Sequence, residues 1–183
     1  MTRLTVAALH RMAKAAQTHD HPTVTIVTHP QQGGGRYACW STGCILLPAP
    51  LLEELGQPAD GSYRITTRGL GDPAEILRFT PAFAKVRMLP LLDTTPRRPL
   101  TPSCWLFDRP PLRARLLDPP GGPPTAAVEE QWDAWTKPLN EVPVWQGGDW
   151  YLLWAPDPTT RAVGLLTTVH HRFVPEPPQE SPL

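Results

Sequence analysis

The chain has 183 residues, of which 40% are hydrophobic and seven are tryptophan, and this composition is typical of one globular domain with a substantial core. Its 25 prolines and 13 glycines predict rigid loops, yet they stay below the content typical of disordered chains. Lys and Arg number 17, as do Asp and Glu, which excludes a protein drawn to nucleic acid or to an anionic membrane by its overall charge. Any DNA contact would therefore have to come from a local patch.

The N-terminal stretch MTRLTVAALHRMAKAAQ predicts a helix and not a targeting segment. Apolar residues recur at helical spacing from about residue 4 to 17, and Thr5 or Thr2 can cap the first turn. Arg11 and Lys14 interrupt the apolar run, so we expect neither a signal peptide nor a membrane-spanning helix. The expected location is cytoplasmic, with no membrane partner.

Two extended pieces and a glycine turn follow the first helix. The sequence TVTIVT at 23–28 alternates β-branched residues and predicts a strand, and RYACW at 36–40 predicts the return strand. Between them, residues 31–35 predict a hairpin turn, because consecutive glycines accept the positive φ that tight turns need.

The stretch after this hairpin predicts a third strand, a short helix and a fourth strand. Gly43 is expected to mark a tight connection into the strand CILLP at 44–48. Leucines at 51–55 predict the short helix, which Gly56 ends. The alternating sequence SYRITTR at 62–68 predicts the next strand.

Residues 81–124 contain eleven prolines and form a proline-rich middle region. Short apolar pieces alternate with turns there: VRMLPLL at 86–92, CWLF at 104–107 and LRARLL at 112–117. Because proline removes the donors of a strand ladder, we expect these pieces to be edge strands or extended connections.

The C-terminal third predicts a helix and a closing hairpin. Thr125 can cap a helix at 126–136 whose face carries Trp132 and Trp135. The pieces WYLLW at 150–154 and RAVGLLTTVHHRF at 161–173 predict the hairpin.

Taken together, these elements predict an α+β fold with a mostly antiparallel sheet and two or three helices. We expect residues 1–173 to form one domain that includes the proline-rich middle at 81–124. The remaining residues, 174–183, are expected to be a disordered tail.

The cysteines predict buried, inert thiols. Cys39 and Cys44 are not at a zinc-knuckle spacing, and Cys104 lies far away in the proline-rich region. An odd number of cysteines without a secretion signal favours reduced thiols over a disulfide framework.

The histidines offer weak evidence for a metal site. They are His10, His19, His21, His29, His170 and His171. His170 and His171 are adjacent on a predicted strand and point to opposite faces. His19 and His21 flank an aspartate, which leaves a metal site there as the less favoured alternative. We expect neither a metal nor a cofactor.

No catalytic constellation stands out in the sequence. Ser41 lies outside any Gly-x-Ser-x-Gly elbow, and no pair of carboxylates with a nearby base can be singled out. Gly33, Gly34 and Gly35 precede a strand, whereas a phosphate-binding loop leads into a helix. A base-stacking platform of tryptophans is less favoured than a role in the core. The tryptophans concerned are Trp105, Trp132, Trp135, Trp145, Trp150 and Trp154.

The order of these elements follows a known pattern, and two motifs agree with it. The run Trp40-Ser41-Thr42-Gly43-Cys44-Ile45-Leu46 stands where that pattern typically reads Ala-Thr-Asp-Gly-His-Arg-Leu, and Gly43 and Leu46 match. The closing run at 164–172 is similar in outline to a Leu-Met-Pro-Met-Arg-like strand. Over roughly the first 70 and the last 15 residues, the chain thus resembles one domain of a bacterial DNA polymerase sliding clamp. A complete bacterial clamp has three such domains in a row, so a ring formed by this chain would need many copies or a different architecture.

The resemblance implies how DNA would be contacted. Clamp-domain helices line the DNA channel, so Arg11 and Lys14 would touch phosphates without reading sequence. The full set of expected DNA contacts is Arg3, Arg11, Lys14, Arg97, Arg98, Arg113 and Arg115. The alternative is an ordinary solvated helix face.

The function implied by the resemblance is that of a clamp-like, DNA-associated accessory or interaction protein without catalytic activity, of a kind that a mobile element could carry. Its expected partners are double-stranded DNA, bound without sequence preference, and further copies of the chain. The alternative is a scaffold that binds a protein through its proline- and tryptophan-rich surface without DNA contact. A hydrolase or metal enzyme is the least favoured hypothesis.

Overall fold

The computed structural model describes residues 4–16, 21–31, 33–75, 79–109, 112–118, 125–148 and 150–169, with the backbone alone at 101–109, 112 and 118. The helices are α1 (Val6–Ala16), α2 (Ala49–Glu54), α3 (Pro81–Phe83) and α4 (Glu129–Thr136), with a π-helical turn at Ala84–Met88 and a 3-10 helix at Leu89–Asp93. The strands are β1 (Thr23–Thr28), β2 (Arg36–Trp40), β3 (Gly43–Leu47), β4 (Gly61–Thr66), β5 (Gly69–Pro73), β6 (Arg97–Pro99), β7 (Thr101–Arg109), β8 (Leu112–Asp118), β9 (Thr125–Val128), β10 (Val144–Gly147), β11 (Tyr151–Trp154) and β12 (Gly164–Thr167).

Two antiparallel sheets organise these strands. The large sheet has nine strands in the order β5-β4-β1-β2-β3-β12-β11-β10-β6, and the small sheet has three in the order β7-β8-β9. Pro73 and Pro99 lie in the two edge strands of the large sheet, where a missing N–H leaves no internal ladder bond open. The predicted α+β fold with a mostly antiparallel sheet is confirmed.

The large sheet is covered on both faces, because alternate side chains of each strand point to opposite sides. On the first face, Ile26, Trp40 and Trp154 belong to the buried cluster that includes α1, α4 and parts of the small sheet. On the second face, Tyr37 and Leu165 belong to a separate cluster. The chain therefore forms helices, sheet and helices in three layers.

The first face is closed by α1 and α4, which pack against each other. Leu9, Met12 and Ala13 of α1 are completely buried. The backbone N–H of Ala8 donates to the Thr5 side-chain oxygen at 3.2 Å, which confirms Thr5 as the N-terminal cap.

The second face is closed by residues 81–93, which we call the 81–93 segment. Our prediction of an extended piece at 86–92 is wrong, because this segment is helical. Thr80 caps it by accepting from the Phe83 N–H at 3.2 Å. Pro81 and Pro90 each stand in the first turn of a helical piece, where the missing proline donor costs nothing.

The other two proline-rich pieces, at 104–107 and 112–117, fall in β7 and β8. The strand at 112–117 is wrongly predicted as an edge, because β8 is the central strand of the small sheet.

The helix predicted at 126–136 begins later than expected. Residues Thr125–Val128 form β9, which pairs with β8, and α4 begins at Glu129. Thr125 is therefore not the helix cap; its hydroxyl accepts from the Gln146 Nε2 at 3.1 Å. Pairing with the β7–β8 hairpin overrides the helical preference of two alanines.

The tight connection predicted at Gly43 is instead made by Ser41 and Thr42, because Trp40 and Gly43 already pair across the strands. Gly43 serves a different purpose. A Cβ at this position would lie 2.3 Å from the Leu165 carbonyl oxygen, so glycine is needed for close approach of β3 and β12.

Several other predicted elements are confirmed. β1 and β2 have the predicted bounds, and the intervening turn holds Gly33 at φ +70° and Gly35 at φ +77°. The closing hairpin is confirmed by the pairing of β11 with β12.

The predicted tail at 174–183 lies outside the described residues. Among the described residues, none of the helices combines the length and the apolar content that a membrane span requires.

Candidate functional site

A groove runs between α1 and α4 on the outer side of the first face. Its volume is about 290 Å³, and its lining residues are Arg11, Lys14, Ala15, Glu130, Asp133, Ala134 and Lys137. We call it the α1–α4 groove. The Gln131 Nε2 donates to the Ala15 carbonyl oxygen at 3.1 Å and fixes α4 against the end of α1.

The α1–α4 groove carries charges of both signs. Arg11, Lys14 and Lys137 supply three cations, and Glu130 and Asp133 supply two carboxylates. The two basic residues of α1 and Lys137 are exposed. The groove can therefore attract a polyanion, but the carboxylates reduce the attraction.

The predicted DNA contacts do not form one surface. Arg11 and Lys14 share the α1–α4 groove, whereas Arg98 is exposed on β6 at the far edge of the large sheet. Arg3 lies outside the described residues.

The Arg97 side chain is buried and hydrogen-bonded to backbone carbonyl oxygens. It is only 8% exposed, and its guanidinium donates to the carbonyl oxygens of Leu92 and Thr160 at 2.7 Å and of Thr94 at 2.9 Å. A longer bond of 3.3 Å reaches the carbonyl of Asp157. Burial lowers the pKa of Arg97, although Asp93 and Asp157 oppose the shift. These four bonds hold the guanidinium inside the fold, so in this structure Arg97 is directed at the backbone and not at the surface.

Arg113 and Arg115 meet Glu129 at the start of α4. The Arg113 Nε lies 2.5 Å from one carboxylate oxygen, and an Arg115 terminal nitrogen lies 3.4 Å from the other. Sharing one carboxylate offsets part of their positive charge. The cleft beside them is lined by Arg113 together with Glu129, Glu130 and Asp133, so carboxylates outnumber cations at this end of α4.

The two described cysteines confirm the predicted buried thiols. Cys39 and Cys44 face each other across β2 and β3, and both are fully buried and free. Burial, with a contribution from the Cys44 thiol, raises the pKa of Cys39 well above its ordinary value, which suppresses the reactive thiolate. The side chain of Cys104 lies outside the described residues.

His29 belongs to a polar cluster that the sequence reasoning missed. It is 4% exposed, and its Nε2 lies 3.8 Å from an Asp93 carboxylate oxygen, too far for a hydrogen bond. The other Asp93 oxygen accepts from the Arg161 Nε at 2.9 Å, and Arg161 also donates to the Gln31 side chain. The segments that contain His29, Asp93 and Arg161 are far apart in the sequence, and they meet at the Asp93 carboxylate. No local sequence signal indicates this contact.

Burial, with a contribution from Arg161, lowers the pKa of His29 below its ordinary 6.5, while Asp93 opposes the shift. The other described histidines are half-buried His10 on α1 and exposed His21 just before β1. No group of three or more His, Cys, Asp or Glu side chains that could hold a metal ion occurs within the described residues. His19, His170 and His171 lie outside them.

The tryptophans mostly fill the core. Trp132, Trp135 and Trp154 are buried, and the Trp145 Nε1 donates to the Ala155 carbonyl oxygen at 3.0 Å. Trp150, by contrast, is 67% exposed. The side chain of Trp105 lies outside the described residues. These positions agree with the core role and leave Trp150 as an isolated exposed ring among the described tryptophans.

The α1–α4 groove is therefore the surface where two of the predicted contacts, Arg11 and Lys14, come together, and Lys137 joins them from the C-cap of α4. The apolar periodicity predicted α1, but the pairing of α1 with α4 depends on the whole fold.

No protein-family model, curated protein or solved structure matches this chain. The resemblance to a sliding-clamp domain thus rests on residues and element order, and it stays a prediction.

Proposed function

We propose that this protein is a clamp-like accessory protein without catalytic activity that contacts double-stranded DNA through the α1–α4 groove. The observation that carries the proposal is the placement of Arg11, Lys14 and Lys137 along one groove between two helices. Cations on helix faces neutralise phosphates without reading bases. The nearby Glu130 and Asp133 keep the contact weak, which suits a protein that must move along DNA.

The proposal includes location and assembly. We place the protein in the cytoplasm, where DNA is accessible to a bacterial-type clamp. Because one clamp-like domain cannot encircle DNA, the proposed active form is a homo-oligomer. Sedimentation velocity on the full chain should show a species larger than a monomer. A strict monomer at all concentrations, with or without DNA, would restrict the proposal to an open, non-encircling contact.

The test is the salt dependence of DNA binding by an Arg11→Ala/Lys14→Ala variant. Each cation that no longer neutralises a phosphate should reduce the slope of log affinity against log salt by about 0.9, so the double variant should show a slope smaller by about 1.8. The affinity should fall equally for unrelated duplexes. A matched control is Arg64→Ala/Arg68→Ala, which removes two exposed cations near the β4–β5 turn.

The control should keep the parent's slope and affinity. If the groove variant binds as tightly as the parent with an unchanged slope, the α1–α4 groove does not contact DNA. The second candidate function, a protein-binding scaffold without DNA contact, would then lead. It is favoured by the apolar outer side of the 81–93 segment, where Phe83 and Val86 are exposed.

A further inference from the structure

The 81–93 segment is apolar on both of its sides. Its inner side is buried against the second face of the large sheet, and the buried residues are Ala84, Met88, Leu89 and Leu92. Its outer side consists of exposed residues that recur at helical spacing. They are Ala82, Phe83, Val86, Arg87 and Pro90, and exposed Asp93 follows them at the end of the segment; we call the first five residues the outer stripe.

The outer stripe differs from an ordinary solvated helix face. A helix on a protein surface normally turns charged and polar residues outward, and one that is apolar on all sides is normally covered. Phe83 is 47% exposed and Val86 is 70% exposed; with Trp150, they are the large apolar side chains that the described residues expose. The π-helical turn at Ala84–Met88 is a second feature that indicates a binding surface, because such turns are frequent at functional sites.

The charges of this region define what would cover the stripe. The 81–93 segment carries Lys85 and Arg87, and its first acidic residue is Asp93. The Lys85 Nζ is paired with Asp60 at 2.7 Å, so its charge is already compensated. Arg87 forms no ion pair within the described part of the chain. A complementary partner would therefore bring apolar side chains together with a carboxylate for Arg87.

The size of the patch favours a short segment over a second copy of the chain. Phe83 and Val86 together offer on the order of 200 Å² of apolar surface. A stable interface between two folded proteins buries roughly 800 Å² on each partner. A lipid surface fits less well, because interfacial helices carry a strongly basic polar face, whereas the 81–93 segment has two cations and one of them, Lys85, is paired with Asp60.

We propose that the outer stripe is a docking site for a short protein segment that combines apolar residues with Asp or Glu. Phe83 and Val86 contact the apolar residues, and Arg87 pairs with the carboxylate. The site lies on the second face of the sheet, opposite the α1–α4 groove, so it is independent of the DNA contact and its test uses different residues.

The test begins with a selection of short random peptides displayed on phage against the full-length chain. The selected sequences should combine apolar residues with Asp or Glu. Their affinities are then measured by fluorescence anisotropy with the parent, with Val86→Asp and with Arg87→Glu. Val86→Asp should weaken binding at least tenfold without lowering Tm, because Val86 is largely exposed. Arg87→Glu should weaken acidic peptides and strengthen their Lys-substituted versions.

Trp150→Ser is the matched control, because it removes another exposed apolar side chain outside the stripe; it should leave peptide binding unchanged. Each of four results would overturn the proposal. The first is that no peptide binds saturably, and the second is that Val86→Asp binds peptides as the parent does. The third is a dimer in sedimentation that Val86→Asp abolishes, which would assign the stripe to a second copy. The fourth is binding to phosphatidylserine vesicles that depends on Val86.

Discussion

Arg97 joins segments that are far apart in the sequence. Its guanidinium bonds to carbonyl oxygens on both sides of Asp93 and in the loop that leads to β12. That loop is itself ordered by Asp157, which accepts hydrogen bonds from the Thr159 hydroxyl and from the amides of Thr159 and Thr160. These bonds lower the pKa of Asp157 to about 2. The sequence alone suggested that Arg97 touches DNA, because a run of two arginines does not indicate which one is buried.

Replacing Arg97 should therefore reduce stability. Arg97→Met removes the donors from the buried Leu92 carbonyl oxygen and from three part-buried carbonyl oxygens, and we expect the free energy of unfolding to fall by about 2–3 kcal/mol. Urea unfolding measures the change. Arg98→Met is the control; because Arg98 is exposed, its effect should stay within about 0.5 kcal/mol. Equal destabilisation of the two variants would refute the structural role of Arg97.

Gly43 is a second residue with a specific structural role. Gly43→Ala would place a Cβ 2.3 Å from the Leu165 carbonyl oxygen and 3.0 Å from the Trp135 ring. The strands must then separate, and we expect the free energy of unfolding to fall by about 1–3 kcal/mol. Gly71→Ala is the control, since its Cβ would lie 3.7 Å from the Arg64 Cβ, an ordinary van der Waals distance. Thermal unfolding that ranks the two variants equally would contradict this role of Gly43.

His29 should make stability depend on pH. Because its folded pKa is lowered, the unfolded chain binds the proton more tightly, and stability falls as the pH drops below about 6.5 toward the folded pKa. Above about 6.5 the contribution is fully present. Urea unfolding of the parent and of His29→Gln across this range measures the effect.

In that experiment His29→Gln should lack part of the destabilisation at acidic pH. His21→Gln, which changes an exposed histidine, should keep the pH profile of the parent. The opposite result, an unchanged pH profile in His29→Gln, would show that His29 is not held neutral by the fold.

Between elements, the proposed affinity of the α1–α4 groove for DNA depends on the balance between its cations and its carboxylates. Neutralising the carboxylates with Glu130→Gln/Asp133→Asn should raise DNA affinity about threefold to tenfold at low salt, and the increase should shrink at high salt. The control is Glu53→Gln/Glu54→Gln, which makes the same charge change at exposed positions of α2. Fluorescence anisotropy with a labelled duplex compares the two. An equal increase in both would indicate a general charge effect and not a groove.

Elements with strong local patterns were predictable. The alternation in β1 and β2, the glycines between them and the Thr5 cap of α1 all depend on neighbouring residues. The helical structure of the 81–93 segment was not predictable. Prolines indicate extended structure unless they are known to lie in the first turn of a helix, as Pro81 and Pro90 do. The same holds for β9, where pairing with β8 overrides local helix preference.

At the scale of the whole molecule, the sequence predicted the fold class but not the candidate site. The α+β class follows from the number of alternating strands and the amphipathic first helix. The α1–α4 groove requires that residues more than a hundred positions apart lie side by side, as Ala15 and Gln131 do. The His29 cluster likewise joins Gln31 to Arg161. Such contacts depend on the strand order of the nine-stranded sheet, which local patterns do not specify.

The proposed DNA contact of the α1–α4 groove can be mapped residue by residue by NMR with isotope-labelled full-length protein. Titration with two unrelated duplexes at low salt should shift the amide signals of Val6–Ala16 and Glu129–Thr136 most, in the same pattern for both duplexes, and added salt should reverse the shifts. The 81–93 segment should not respond. No salt-sensitive shifts, shifts confined to the 81–93 segment, or patterns that differ between the duplexes would contradict the claim.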